Sequence, residues 1–318
     1  MVGTARMTGG ALVVGVDGGG TKTDIVVADL HGVELATVQT TGTNHEGIGT
    51  ERVVATLREA IDGLLAGLGA SGDDVAMAVF GLAGIDWASD VDNVGAALGG
   101  LGLAGSMLVV NDSEIALRAG CTEPWGIVSS VGTGTVTAGV NRQGQRFRTM
   151  AIGWGEPSGS SSMVSASLNA VAAAYHGSGP ATALTQIVLE ALGFDSVPEL
   201  FEALTRGRTR VGARWAPLLD RAVEAGDEVA CDILVRTAQR HADMVGGVAR
   251  HLGMHDDEFD LVMSGGVHQA NAPFGQHFRA QVREQCRGAR PVLLAVAPVR
   301  GAVQLAMDAL AMRDEGAR

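Results

Sequence analysis

The chain is short of positive charge, of paired cysteines and of long apolar runs, and each shortage closes off a class of function. Its 318 residues hold 23 lysines and arginines against 35 aspartates and glutamates, a formal net charge of −12. A protein that grips a nucleic-acid backbone needs a basic stripe, and none occurs, so no nucleic acid is expected as a partner. Any polyanion it binds must be small and met locally. Cys121, Cys231 and Cys286 are odd in number and far apart, with no C-x-x-C pair. They suggest neither a disulfide framework nor a zinc or iron–sulfur site, and read as buried free thiols. No apolar run approaches the roughly 18 residues of a membrane span, and the N-terminus lacks a charged-then-apolar signal pattern, so the reading is a cytoplasmic protein with no membrane partner. Aromatic residues make up only 4%, with a single tyrosine. Lysine is scarcer still: Lys22 is the only one.

What the chain does have is ample core material, at 46% hydrophobic and 18% charged, enough for two domains. The runs 11–17 and 23–30 are short and β-branched and flank a glycine turn, which reads as a hairpin; 34–41 follows after His31-Gly32-Val33, making an antiparallel meander. From Thr50, a plausible N-cap, the period changes to helical: Val53, Val54, Leu57, Ile61, Leu64, Leu65 and Leu68 share one face. Strands at 75–84 and 107–112, with a helix near 90–100 between them, continue in β–α–β fashion. A second round opens at 126–140 with another strand, glycine turn and strand. Helices are predicted at about 160–176, 180–192, 198–206, 215–225 and 227–253. A strand over 260–266, a helix over 273–286, a strand over 292–298 and a helix over 299–313 complete the chain. Two glycine-turn hairpins thus each open a mixed α/β half.

The two turns are candidate phosphate cradles. Glycine accepts positive φ and carries no Cβ, so successive backbone N–H groups can converge on an anion. Gly18-Gly19-Gly20-Thr21 and Gly132-Thr133-Gly134-Thr135 facing one another would grip a polyphosphate from both sides. Asp17, at the end of a buried-type strand, is costly to leave unpaired, and a Mg²⁺ ion bridging phosphates resolves that cost. Lys22 then serves as a compact cation beside the phosphates, with Thr21 and Thr23 supplying hydroxyls. The plainer reading is a tight turn with a solvated lysine. Asp112 ends the strand of "MLVVND" just before a helix, where it is either a cap, in competition with Ser113, or a general base for phosphoryl transfer. "LVMSGGVHQ" ends a buried strand on Gly265 and Gly266, which suits either close approach to a flat ligand such as adenine or a simple strand-to-helix turn. Gly301-Ala302 suits close helix packing.

The order of these parts resembles the first phosphate motif, hinge aspartate, second phosphate motif, adenosine motif and second hinge of the sugar kinase, heat-shock protein and actin superfamily. More narrowly, "GTNHEGIG" (42–49), "GLAG" (81–84), "NDSEIA" (111–116), "SVGTGT" (130–135) and "GWG" (153–155) resemble the BadF/BadG-type ATPase family and its N-acetylglucosamine kinase branch. The resemblance implies an α/β, two-lobed actin-like ATPase (duplicated ribonuclease H-like) fold with a ligand cleft between lobes. The lobes would be 1–118 and 119–298, with the helix over about 299–318 packing back on the first. It implies ATP and Mg²⁺ as cofactors, an amino sugar as substrate, and a homodimer. By the same resemblance Asp17 is the metal residue, and Gly18 to Thr23, Gly132 to Thr135, Gly265 and Gly266 bind nucleotide. Asn44, Gly153 and Glu156 contact sugar, and Asp112 activates its 6-hydroxyl. His45 reads as an exposed loop histidine. The dehydratase activators of the same family carry an iron–sulfur cluster that these scattered cysteines do not match.

One departure stands out. After Gly153-Trp154-Gly155 the kinase branch continues into Gly-Asp-Glu-Gly-Ser, whose aspartate binds sugar hydroxyls; here the chain reads "EPSGSSS". Losing that acceptor should cost a buried sugar contact on the order of 1–3 kcal/mol. Either Glu156 and the serines form a different acceptor pocket, or N-acetylglucosamine binds poorly. A sugar- or nucleotide-sensing protein of weakened catalysis is therefore the competing expectation.

Overall fold

The computed structural model describes residues 12–150 and 159–316. The chain divides into two compact units: one runs to Gly126 and resumes at Leu294, and the other is Ile127–Leu293.

The first unit is built on a five-stranded sheet of order β3-β2-β1-β4-β5. The strands are β1 (Leu12–Gly18), β2 (Lys22–Asp29), β3 (Glu34–Thr41), β4 (Val75–Leu82) and β5 (Ser106–Asn111), with helices α1 (His45–Ile48), α2 (Thr50–Gly67), α3 (Ala88–Leu98) and α4 (Asp112–Gly120). β1 to β3 form the antiparallel meander, while β4 and β5 run parallel to β1. Burial on both faces explains the apolar β1, and the side chains sort by the period of two. Leu12, Val14, Val16, Ile25, Val27, Ala78 and Phe80 pack with Val53, Leu57, Ile61 and Leu65 of α2 on one face. Val13, Val26, Ala28, Met77 and Val79 pack on the other face with Ile115 of α4 and with Val299, Ala302, Val303 and Ala306 of the last helix. Two caps fall one or two residues upstream of the sequence expectation: Gly49 rather than Thr50 precedes α2, and Asn111 rather than Asp112 or Ser113 caps α4. The asparagine wins because its Oδ1 reaches the Ser113 amide at 3.0 Å.

The second unit repeats the pattern, with order β10-β9-β6-β7-β8. It comprises β6 (Gly126–Val131), β7 (Thr135–Val140), β8 (Arg146–Arg148), α5 (Gly159–His176), α6 (Leu184–Leu192), α7 (Val197–Thr205), α8 (Pro217–Glu224), α9 (Glu228–His251), β9 (Phe259–Ser264), α10 (Gly266–Ala270), α11 (Ala272–Gln285) and β10 (Ala289–Leu293). β10 lies about three residues upstream of the predicted 292–298. Its register ends with Leu293 opposite Met263, next to the last residue of β9, and beyond that point it has no ladder to follow. The following Pro298 opens the turn into α12 (Val299–Gly316), which belongs to the first unit.

Two features of these cores position the glycine turns. In the first unit, α12 lies so close to α4 that a Cβ on Gly301 would overlap the Ile115 carbonyl oxygen. In the second, α9 buries His241 completely, and its Nδ1 lies 3.2 Å from Thr135 Oγ1. That hydroxyl already donates to the Ser130 carbonyl, so the imidazole must carry its proton on Nδ1 and donate. His268 meets Ser129 of β6 at 3.2 Å, and the two rings stack edge-on against Phe274. Burial pushes His241 down to about 4, and burial with the neighbouring His241 and Arg279 pushes His268 down to about 3. Both are neutral struts.

Gly301→Ala should lower the melting midpoint by an amount equivalent to about 1–3 kcal/mol, because a backbone carbonyl cannot yield as a side chain would. Gly63→Ala, in an exposed helical position with no atom within 4 Å of the new methyl, should raise it by about 0.4–1 kcal/mol. Thermal melts of both variants check the opposite signs. The histidines have folded values below their unfolded ones, so the unfolded chain takes up their protons first as pH falls. Stability should be flat above about pH 6.5 and drop toward pH 4 by up to about 1.4 kcal/mol per pH unit for each ring. His241→Gln should reduce that slope in a pH series of denaturant melts.

Candidate active site

Register in the first unit sets Gly18, Leu82 and Asn111 in one row across β1, β4 and β5, so everything that follows those residues emerges at the carboxyl edge of the parallel strands. In open α/β sheets that edge is where ligands bind. Asp17 is next to last in β1, Asp112 opens α4, and Asn44 caps α1, with its Oδ1 taking the Glu46 amide. Gly84 of the loop after β4 lies directly against the Asn44 side chain, where a Cβ would come 2.6 Å from Oδ1, so the "GLAG" and "GTN" segments form one surface. His45 is not an exposed loop residue. It begins α1, its side chain is only 16% exposed, and its Nε2 stands 3.7 Å from Asp90.

Asp17 carries the strongest electrostatic signal in this unit. Burial, then the charges of Asp112 and Asp24, push its carboxyl up to about 7, with Lys22 pulling the other way. Asp24 lies directly opposite Asp17 across the β1–β2 ladder. It takes hydrogen bonds from Lys22 Nζ at 2.7 Å and Gln39 Nε2 at 2.6 Å. Burial pushes Asp24 upward, but those two bonds outweigh it and hold its carboxyl below the usual range. Lys22 is thus partnered within its own strand, with 60% of its side chain exposed.

The turns differ from the expected nests in how their glycines are used. None of Gly18, Gly19, Gly20, Gly132 and Gly134 has a positive φ. Gly18 is required by space, since a Cβ would overlap Thr43 Oγ1 and crowd Leu82. A Cβ at Gly20, Gly132 or Gly134 would meet nothing within 4 Å, which leaves open space beside the backbone. The Gly19 amide donates to the Lys22 carbonyl and closes the first turn, leaving Gly20 and Thr21 at its tip. The Gly132 amide does the same with Gly134. The hydroxyl of Thr23 is completely buried, donates to the Thr41 carbonyl and meets Thr43 Oγ1, so it pins β2 to β3. Thr135 is likewise committed to Ser130 and His241. Of the expected hydroxyls, those of the exposed Thr21 and Thr133 stand at the turn tips.

In the second unit the N-terminus of α5 docks under the turn: Ser160 donates both its amide and its hydroxyl to the Gly132 carbonyl, and the Ser161 amide reaches that of Thr133. A cavity of about 490 Å³ opens beside it. Gly132 and Thr133 line one part of its wall and Gly266 and Val267 another, so two motifs more than 130 residues apart share one pocket. Gly265 has φ +89°, and a Cβ there would overlap the Val131 carbonyl, which fixes the sharp exit of β9 into α10. The remaining wall carries the apolar Met163, Ala213, Ala216, Pro217 and Ala270, the polar Ser160 and Arg214, and a hydrogen-bonded pair, Asp220 and Asn271. Such a volume and lining suit a drug-sized flat ligand.

Sequence reasoning missed Asp24, Asp220, Asn271 and the buried histidines. His241 lies in a regular helical stretch, where only burial reveals its task. Gly153 and Glu156 lie outside the described residues.

Residues 14–306 match the BadF/BadG/BcrA/BcrD ATPase family. The chain is 28% identical over 314 residues to the N-acetyl-D-glucosamine kinase of Dictyostelium discoideum, covering 93% of this chain and 98% of that one. It is 31% identical over 262 residues to the N-acetylmuramic acid/N-acetylglucosamine kinase of Clostridium acetobutylicum, covering 80% and 85%. The crystal structure of a candidate N-acetylglucosamine kinase from Chromobacterium violaceum shares its fold, with a TM-score of 0.67 at 20% identity over 93% of this chain and 99% of that one. The two five-stranded sheets of matching strand order are those of the actin-like ATPase fold. With a match over nearly its whole length, the chain belongs to the BadF/BadG/BcrA/BcrD ATPase family.

Proposed function

We propose that the protein is an ATP-dependent kinase that phosphorylates the primary hydroxyl of an amino sugar, N-acetylglucosamine or a relative of it. The observation that carries this reading is the second unit's pocket, where the Gly132-Thr133 turn and the Gly266-Val267 turn line one cavity of the size of a nucleoside. The two relatives named as kinases of N-acetylglucosamine support the acceptor class.

Asp112 is the general base. Opening α4, it accepts the proton of the acceptor hydroxyl as that oxygen bonds to the γ-phosphorus, while the bond from that phosphorus to the β–γ bridging oxygen breaks and ADP leaves. The reaction asks mainly for positioning and charge neutralisation, and the backbone amides at the tip of each unit's turn are the groups suited to supply it. Lys22 meets phosphate by giving up Asp24. Asn44 contacts the sugar through its amide nitrogen, since its oxygen is held by Glu46. Gly153 and Glu156 contribute further sugar contacts. Asp17 fits a Mg²⁺ ion: it is a half-buried hard oxygen donor whose ionised form is disfavoured by burial and by Asp112 and Asp24 and favoured by Lys22. Among the described residues no group of three or more His, Cys, Asp or Glu side chains could hold a metal, so phosphates and water would have to complete the coordination of such an ion. When bound, it supplies charge neutralisation at the phosphates. The resemblance supports a cytoplasmic homodimer.

The missing aspartate after Gly155 favours a second reading, a sensor that binds sugar and nucleotide without turning them over. Purified protein with Mg-ATP and a panel of hexoses, amino sugars and cyclitols separates the two by coupled ADP release. The kinase reading expects N-acetylglucosamine or a related amino sugar to stimulate release. Tight calorimetric binding without product supports the sensor.

Asp112→Asn should lower kcat by orders of magnitude with nucleotide binding nearly intact. Unchanged turnover would remove Asp112 from its role. The folded value of Asp17 lies above its unfolded one, so its burial costs stability once pH climbs from about 4 through 7. In the absence of metal, Asp17→Asn should therefore be the more stable protein at pH 8, by on the order of 2–4 kcal/mol, with the gap closing toward pH 4. The same variant should lose turnover. Melts across pH with a chelator present check the sign.

A further inference from the structure

The pocket's polar corner carries more information than a binding site alone requires. Asp220 of α8 and Asn271, which caps α11, are joined by a hydrogen bond from Asn271 Nδ2 to Asp220 Oδ1. Asn271 Oδ1 accepts the Phe274 amide at 2.8 Å, which fixes which end of that side chain is oxygen and which is nitrogen. The asparagine is 6% exposed, so this orientation is held by its surroundings. Its nitrogen has two hydrogens, and Asp220 takes one. The pair therefore sets a carboxylate acceptor beside an N–H donor among the lining residues, which also include Arg214.

We propose that Asp220 and Asn271 form a base-reading pair that selects adenine over guanine, an inference that rests on the nucleotide reading of this pocket. Adenine presents an amino donor beside a ring-nitrogen acceptor, which matches the Asp220 acceptor and the Asn271 donor. Guanine places its O6 acceptor where adenine has the amino group, so it would set one acceptor against another. The apolar wall of Met163, Ala213, Pro217 and Ala270 then covers the faces of the ring. Burial and the nearby Glu224 push the Asp220 carboxyl upward, in keeping with a dry corner, while the Asn271 bond pulls it the other way. A mismatched base leaves buried polar groups unpaired, which is the arrangement that discriminates strongly.

The test is kcat/KM of the full chain for ATP, 2′-deoxy-ATP and GTP with a saturating acceptor sugar, in wild type, Asp220→Asn and Asp220→Ala. Wild type should prefer ATP over GTP by at least about tenfold. Both variants should lower the ATP/GTP ratio by roughly 10- to 100-fold through KM, with 2′-deoxy-ATP falling in parallel with ATP. Unaltered melting midpoints confirm that the variants are folded, and having two of them guards against one failing. An unchanged ratio in folded variants overturns the proposal, as does a loss confined to ribonucleotides, which would place the carboxylate on the ribose. A wild type that neither uses nor binds ATP or GTP overturns the nucleotide reading of the pocket, and this inference with it.

Discussion

A carboxylate placed where water cannot fully reach it is the constraint on which the first unit turns. β1 needs two apolar faces to sit inside the sheet, yet its sequence delivers Asp17 at the end of that strand, opposite Asp24 and within the field of Asp112. Among the described residues only Lys22 counters that arrangement, and it is partnered by Asp24. Under the proposed function, a cation with its phosphates would offset that cost, so stability and function would pull in opposite directions there. The surrounding structure absorbs the strain: the Thr23, Thr41 and Thr43 cluster locks the hairpin, and α12 against α4 holds the back of the sheet.

The second unit solves a related problem with neutral groups. Its turn must hold its shape beside a 490 Å³ cavity without contributing charge of its own. Two buried histidines, kept uncharged by burial, brace β6 and β7 from behind through Ser129 and Thr135, and the end of α5 braces the turn's carbonyls. The same strand order thus carries different neutral supports, a threonine cluster in one unit and buried histidines in the other.

Much of the fold was legible in the sequence because period and punctuation agree. The hairpin around Gly18 to Gly20, the α2 face from Val53 to Leu65 and the helix carrying Val248 all follow from patterns that burial enforces. β10 was misplaced because "VLLAVAP" looks equally apolar throughout, and only pairing with β9 decides where the ladder stops. The positions of the candidate site residues were legible where they are local: Asp17 stands next to the end of β1 and Asp112 directly after β5, while their roles rest on the proposed function. The site was not legible where roles depend on partners. Nothing near Thr23 in the sequence announces that Thr41 and Thr43 will claim its hydroxyl, and nothing near Asp220 announces Asn271, 51 residues away.

The central claim is that this chain moves a phosphoryl group from ATP to a sugar alcohol. The most direct measurement is ³¹P NMR of purified protein with Mg-ATP and N-acetylglucosamine, followed by carbon–phosphorus coupling to locate the new ester. The account expects ADP and a 6-phosphorylated amino sugar to appear in equal amounts. ATP cleaved to free phosphate, or left intact while both ligands are shown to be bound, would contradict it.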